Sequence, residues 1–187
     1  MIPVLEHPDI RRRALPISVA TYHWMQQQDL VSRRAELIRG AIIEKMSKSP
    51  LHTSLTDHIR ELLDVWSGKR YWVRHESPLT LRDSEPEPDV SVVSGSRSDY
   101  ANAHPHTALL VVEVSVSSES ADRELLPCYA AAGVAEVWIV MAGKKQVERF
   151  TRPAGEIYAE SRVFSAGDSL TSDSLPGFSL PIATLFV

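Results

Sequence analysis

Chemistry is first suggested in this 187-residue sequence by carboxylates stranded in apolar runs, because burying a carboxylate is costly unless a partner or a cation compensates it. Asp89 opens the β-type run Asp89-Val90-Ser91-Val92-Val93. Glu113 stands among Leu109, Leu110, Val111, Val112 and Val114, none of which offers it a polar side chain. Glu36 is flanked by Ala35, Leu37 and Ile38. Three carboxylates on separate buried elements could converge and hold a hard cation through oxygen. Such a cation activates water for attack on a phosphodiester and stabilises the charge that develops. In the competing reading each carboxylate points outward from a strand end or pairs with arginine, and spacing alone leaves both open.

Several elements must position these groups. Ser18 can cap a helix that carries Tyr22, Met25 and Leu30 on one side and ends near Asp29. In the stretch Ala35-Glu36-Leu37-Ile38-Arg39-Gly40-Ala41-Ile42-Ile43-Glu44, Gly40 separates two short apolar runs, which predicts a β-hairpin with a tight reversal. After Ser49-Pro50, the residues Leu51, Leu55, Ile59, Leu62, Leu63 and Trp66 recur at helical spacing until Gly68. Strands are predicted at 71–73, 89–93 and 108–114, the last with the continuous apolar character of a strand buried on both faces. A loop is expected over 94–107, a helix over 117–132 ending at Gly133, and a buried strand over 136–141. Strand, helix and strand at that spacing predict a crossover and parallel pairing. More exposed strands are expected at 146–151, 157–164 and 178–187.

Residues 1–16, with Pro3, Pro8, Pro16 and the Arg11-Arg12-Arg13 run, read as an N-terminal arm, followed by one domain over 17–187. Cys128 is the only cysteine, which excludes a disulfide scaffold and any multi-cysteine metal site and suits a reducing compartment. No apolar run approaches the ~18 residues of a membrane span, and the N-terminus lacks the core of a signal peptide. A soluble, cytoplasmic protein without a membrane partner is the expectation. The formal net charge of −4 argues against coating nucleic acid by bulk attraction. The charge is uneven, however: residues 1–75 carry 12 Lys and Arg against 8 Asp and Glu, and residues 76–187 carry 8 against 16.

Five blocks, in order, give these residues a common context: Ala35-Glu36-Leu37-Ile38-Arg39-Gly40; Met46 through Ser49-Pro50-Leu51-His52; Glu85-Pro86-Glu87-Pro88-Asp89-Val90; Val111-Val112-Glu113-Val114-Ser115; and Tyr129 through Gly133 to Val140. With them the chain, from about Ser18 to Phe150, resembles the Uma2 family, a branch of the PD-(D/E)xK restriction-endonuclease-like superfamily. The resemblance implies an α/β fold with a central mixed sheet flanked by helices, and a metal-dependent nuclease centre. Pro88-Asp89 corresponds to the family's "PD" and Glu113 to its "(D/E)". Asp89 and Glu113 would then hold Mg²⁺ or Mn²⁺ with the Val114 carbonyl as a third ligand. Glu36 would add a carboxylate, and His52 would lie near the site or serve only as a helix-terminus histidine. The implied partner is nucleic acid, DNA above all, and a homodimer would let each subunit cut one strand.

The sequence departs from the family between Asp122 and Tyr129, where the segment before Pro127 is one residue short. Members place a lysine four residues before the tyrosine that corresponds to Tyr129, and here that position is Leu125. A cation there would orient the attacking water and offset transition-state charge, which leucine cannot do. Arg123 lies about 200° around a helix from position 125, and Lys144 or Lys145 would have to reach in from the following hairpin. Two readings follow: an active endonuclease, or a nuclease fold without turnover that serves as a nucleic-acid-binding or interaction module. Tyr22, Trp24, Trp66, Trp72 and Trp138 read as core or groove packing, His104 and His106 as loop residues, Cys128 as buried and inert, and Ser117-Ser118 as a helix cap.

Overall fold

The computed structural model describes residues 7–68, 70–117 and 119–186, without the side chains of residues 10 and 11. After one helical turn, α1 (Pro8–Arg11), helix α2 (Val19–Gln27) starts at Ser18, whose Oγ accepts the Thr21 N–H. The β1 (Ala35–Ile38) and β2 (Ala41–Glu44) strands pair antiparallel through the two-residue turn Arg39-Gly40. Both turn residues have positive φ, 48° and 77°, the geometry that matches the twist of a tight hairpin. Gly40 is needed for a second reason: a Cβ there would lie 2.4 Å from Pro16 Cβ. Helix α3 (Pro50–Ser67) begins at the Ser49 cap with Pro50 in its first turn and stops at Gly68 in the left-handed conformation.

The central sheet has six strands: β3 (Tyr71–His75), β4 (Val90–Ser94), β5 (Leu110–Ser115), β6 (Glu136–Met141), β7 (Gln146–Ala154) and β8 (Ile157–Phe164), hydrogen-bonded in that order. All neighbours are antiparallel except β5 and β6, which are parallel as the crossover spacing predicts. Side-chain alternation along β4 and β5 gives two cores. Val90, Val92, Leu110, Val112 and Val114 meet Leu55, Ile59 and Leu63 of α3 on one face. Val93 and Val111 meet Cys128 and Tyr129 on the other.

Two expectations need correction. The helix predicted over 117–132 is two short helices, α4 (Glu119–Arg123) and α5 (Leu126–Ala131). Pro127 cannot donate a backbone N–H and its ring crowds the preceding turn, so one helix ends and another starts around it. The strand predicted over 178–187 is only β10 (Ser179–Pro181), paired with β9 (Ser169–Thr171) and followed by α6 (Ile182–Leu185). Half of the expected Ser117-Ser118 cap and the last residue, 187, lie outside the described residues. Among the described residues no helix is long and apolar enough to cross a membrane. Because Gly40 combines positive φ with the Pro16 contact, Gly40→Ala should cost about 1–3 kcal/mol in urea unfolding; an unchanged midpoint would contradict the packing of the lead-in onto the hairpin.

Candidate functional site

The paired residues of β4 and β5 end at Val90 and Val112. Two residues further in this register, Val114 falls opposite residue 88, which is proline and has no N–H to give. Side chains take over where the ladder ends. The Val114 N–H donates to Asp89 Oδ2 at 2.8 Å, and the Asp89 N–H points to Glu113 Oε2 at 3.4 Å. In an extended strand the N–H and C=O of one residue point the same way, so the Val114 carbonyl turns toward the same opening. Asp89, Glu113 and Val114 are thus brought together as the sequence suggested.

The two faces of the sheet each contribute further groups. From the first turn of α3, His52 Nε2 lies 3.0 Å from Asp89 Oδ2, and since a carboxylate only accepts, that nitrogen carries the proton. From the loop before α3, Lys48 Nζ donates to Asp89 Oδ1 and to Glu76 Oε1, both at 2.8 Å. On the opposite face, the Tyr129 hydroxyl of α5 donates to Glu113 Oε1 at 2.6 Å. Glu36 stands one step away. Its Oε1 accepts the Glu87 N–H at 2.7 Å and lies 3.3 Å from Lys45 Nζ, which also pairs with Glu87.

These contacts set the charge states of the acids. Burial pushes the Glu113 carboxyl well above the usual range and the neighbouring Asp89 charge adds to this, while the Tyr129 hydrogen bond works the other way. Burial also acts to raise the Asp89 carboxyl, yet the hydrogen bonds from His52 and Lys48 outweigh it and hold Asp89 below its ordinary value. For Lys48, burial favours the neutral amine, but Asp89 and Glu76 outweigh it and raise its pKa. Glu36 is raised, by burial above all, against the pull of Lys45. Buried Tyr129 is raised well above the phenol range by desolvation and then by Glu113. The centre therefore pairs an acid held low, Asp89, with an acid pushed high, Glu113.

Leu125 packs against the second core, which holds Cys128 and Tyr129. Arg123 bonds Glu148 at 2.5 Å, and Lys144 bonds Glu119 at 2.6 Å. Neither contacts Asp89 or Glu113. Cys128 is buried, as expected. Trp24 is not packed away: it is 55% exposed, whereas Tyr22 and Trp138 are each 1% exposed. Sequence reasoning overlooked Lys45 and Lys48. The available signal was a pair of lysines, Lys45 and Lys48, between the hairpin and the capped start of the helix that carries His52.

The site thus lies where a mixed six-stranded sheet flanked by helices opens at an Asp/Glu pair. Residues 19–183 match the Uma2 family, described as "Putative restriction endonuclease", and the chain belongs to that family. A solved structure described as "a putative nuclease belonging to DUF820" from Anabaena variabilis ATCC 29413 is similar in fold, with a TM-score of 0.74. Its identity is 19%, over 91% of this chain and 98% of that one. No curated protein matches the chain.

Glu113 yields a test of the electrostatics. The unfolded chain releases this proton in the ordinary carboxylate range, whereas the folded chain keeps it to higher pH, so stability falls as pH rises through that window. Glu113→Gln keeps an acceptor for Tyr129 and removes the proton release. In EDTA at pH 8 the variant should melt about 3 °C or more above the parent, the equivalent of roughly 1 kcal/mol for a chain of this size, and the gain should shrink toward pH 4. A lower melting temperature at pH 8 would contradict the assignment.

Proposed function

We propose that the protein is an endonuclease dependent on Mg²⁺ or Mn²⁺ that hydrolyses phosphodiester bonds, with DNA as its substrate. The observation that carries this reading is the pair of carboxylates at the open end of the β4–β5 ladder beside the Val114 carbonyl. Carboxylate and carbonyl oxygens are hard donors suited to such ions. Among the described residues no three His, Cys, Asp or Glu side chains are grouped to cage an ion. Mg²⁺ is commonly held by one or two carboxylates and completes its shell with water and substrate phosphate. Asp89, Glu113 and the Val114 carbonyl are the proposed holding groups. When bound, the ion supplies Lewis acidity toward the phosphodiester and a water of lowered pKa.

The chain's own groups prepare this chemistry. His52 and Lys48 keep Asp89 ionised and oriented. The Tyr129 hydroxyl fixes Glu113 and stabilises its carboxylate once the proton leaves. Glu36 adds negative charge at a distance, felt by both Glu113 and Tyr129. The choice of DNA follows the family's description as restriction endonucleases. A homodimer would set one centre on each strand of a duplex.

A second reading, binding without turnover, is favoured by Leu125 packing into the core where the family has lysine. Supercoiled plasmid separates the two. The endonuclease reading expects nicking with Mg²⁺ or Mn²⁺, none with EDTA, and a loss of at least about 100-fold in Asp89→Asn and Glu113→Ala. Nicking that survives EDTA, or that persists in Asp89→Asn, would refute it, and retention of DNA without cleavage in any metal would establish the second reading.

A further inference from the structure

A phosphoryl-transfer centre built on two carboxylates needs a cation to offset charge on the transition state. Among the described residues the cations nearest in sequence to position 125 are committed elsewhere, Arg123 to Glu148 and Lys144 to Glu119. Lys45 is held by Glu36 and Glu87. Lys48 alone of these reaches a carboxylate of the Asp89/Glu113 pair. We infer that Lys48, entering from the loop before α3 and not from the helix after β5, is the working cation of this centre and replaces the lysine missing at Leu125.

The inference rests on the nuclease reading and adds a residue to it. Lys48 Nζ is anchored from two sides, by Asp89 inside the centre and by Glu76 outside it. Its position is set by the backbone, because Ser49 caps α3 and Pro50 opens it. The side chain is 27% exposed, so an incoming phosphate can reach it. An ammonium has three N–H donors; the two carboxylates take one each, which leaves one for a phosphate oxygen or the attacking water. His52 Nε2 and the Val114 N–H occupy the other oxygen of Asp89, so Lys48 can turn from Oδ1 toward substrate without releasing Asp89.

The test measures single-turnover cleavage at saturating DNA with Mn²⁺, Mn²⁺ affinity, and melting temperature, in the parent and in Lys48→Met, Lys48→Arg and Leu125→Lys. Lys48→Met should lose about 100-fold or more in rate with Mn²⁺ affinity unchanged or tighter, since a competing cation has left Asp89. Lys48→Arg should recover part of the rate, and Leu125→Lys should give no gain because its side chain starts from the core. Should Lys48→Met fail to fold, Lys48→Gln, which keeps donors without charge, decides by the same two readouts. Cleavage by Lys48→Met within threefold of the parent would overturn the role of Lys48 and leave the nuclease reading standing. Loss of Mn²⁺ binding together with cleavage would also overturn it, by making Lys48 a support for Asp89. A parent that cleaves with neither Mg²⁺ nor Mn²⁺ would remove the nuclease reading and the role of Lys48 with it.

Discussion

The hydrogen bond from the Val114 N–H to Asp89 Oδ2 is the contact on which the rest of the site depends. A continued ladder would need residue 88 to exchange hydrogen bonds with Val114, and proline cannot supply its half. The sheet opens there, and a side-chain carboxylate satisfies the exposed backbone donor. That places Asp89 across the end of the sheet, within reach of both flanking layers. Helix α3 contributes His52 from one face, while α5 supplies Tyr129 from the other. Neither layer would meet the acids if the β4–β5 pairing ran on.

Burial then divides the work of the two acids. Asp89 is held ionised by a histidine, a lysine and a backbone donor, so desolvation does not neutralise it. Glu113 is buried beside the Asp89 charge, and both push its carboxyl well above the usual range. A centre in which one acid is charged and the other is not avoids two adjacent buried charges in the resting protein. To hold a divalent ion Asp89 and Glu113 would both have to be ionised, which higher pH favours. Lys48 and Glu76 extend the arrangement to the surface, where alternating charges lead from solvent to the sheet.

Much of this was legible in the sequence, for identifiable reasons. Asp89 and Glu113 stood out because a carboxylate among β-branched residues demands a partner, and the Gly40 reversal because two short apolar runs met at a glycine. The parallel β5–β6 pair followed from the spacing of its crossover. The break between α4 and α5 was written in Pro127, but the helical pattern on either side masked it. Lys45 and Lys48 were harder to read as site residues because a lysine in a polar loop has no periodicity, and the partners of Lys48 lie 28 and 41 residues away along the chain. The substitution at 125 drew attention to one helix, whereas the cation comes from a segment more than 70 residues earlier.

Anomalous diffraction from crystals grown with Mn²⁺ tests most directly whether the open end of the β4–β5 ladder is a cation site. The expected result is a single strong peak bounded by the Asp89 and Glu113 carboxylates and the Val114 carbonyl, with Lys48 Nζ displaced from Asp89 Oδ1. An opening without a peak at millimolar Mn²⁺, with Lys48 still seated on Asp89, would contradict it.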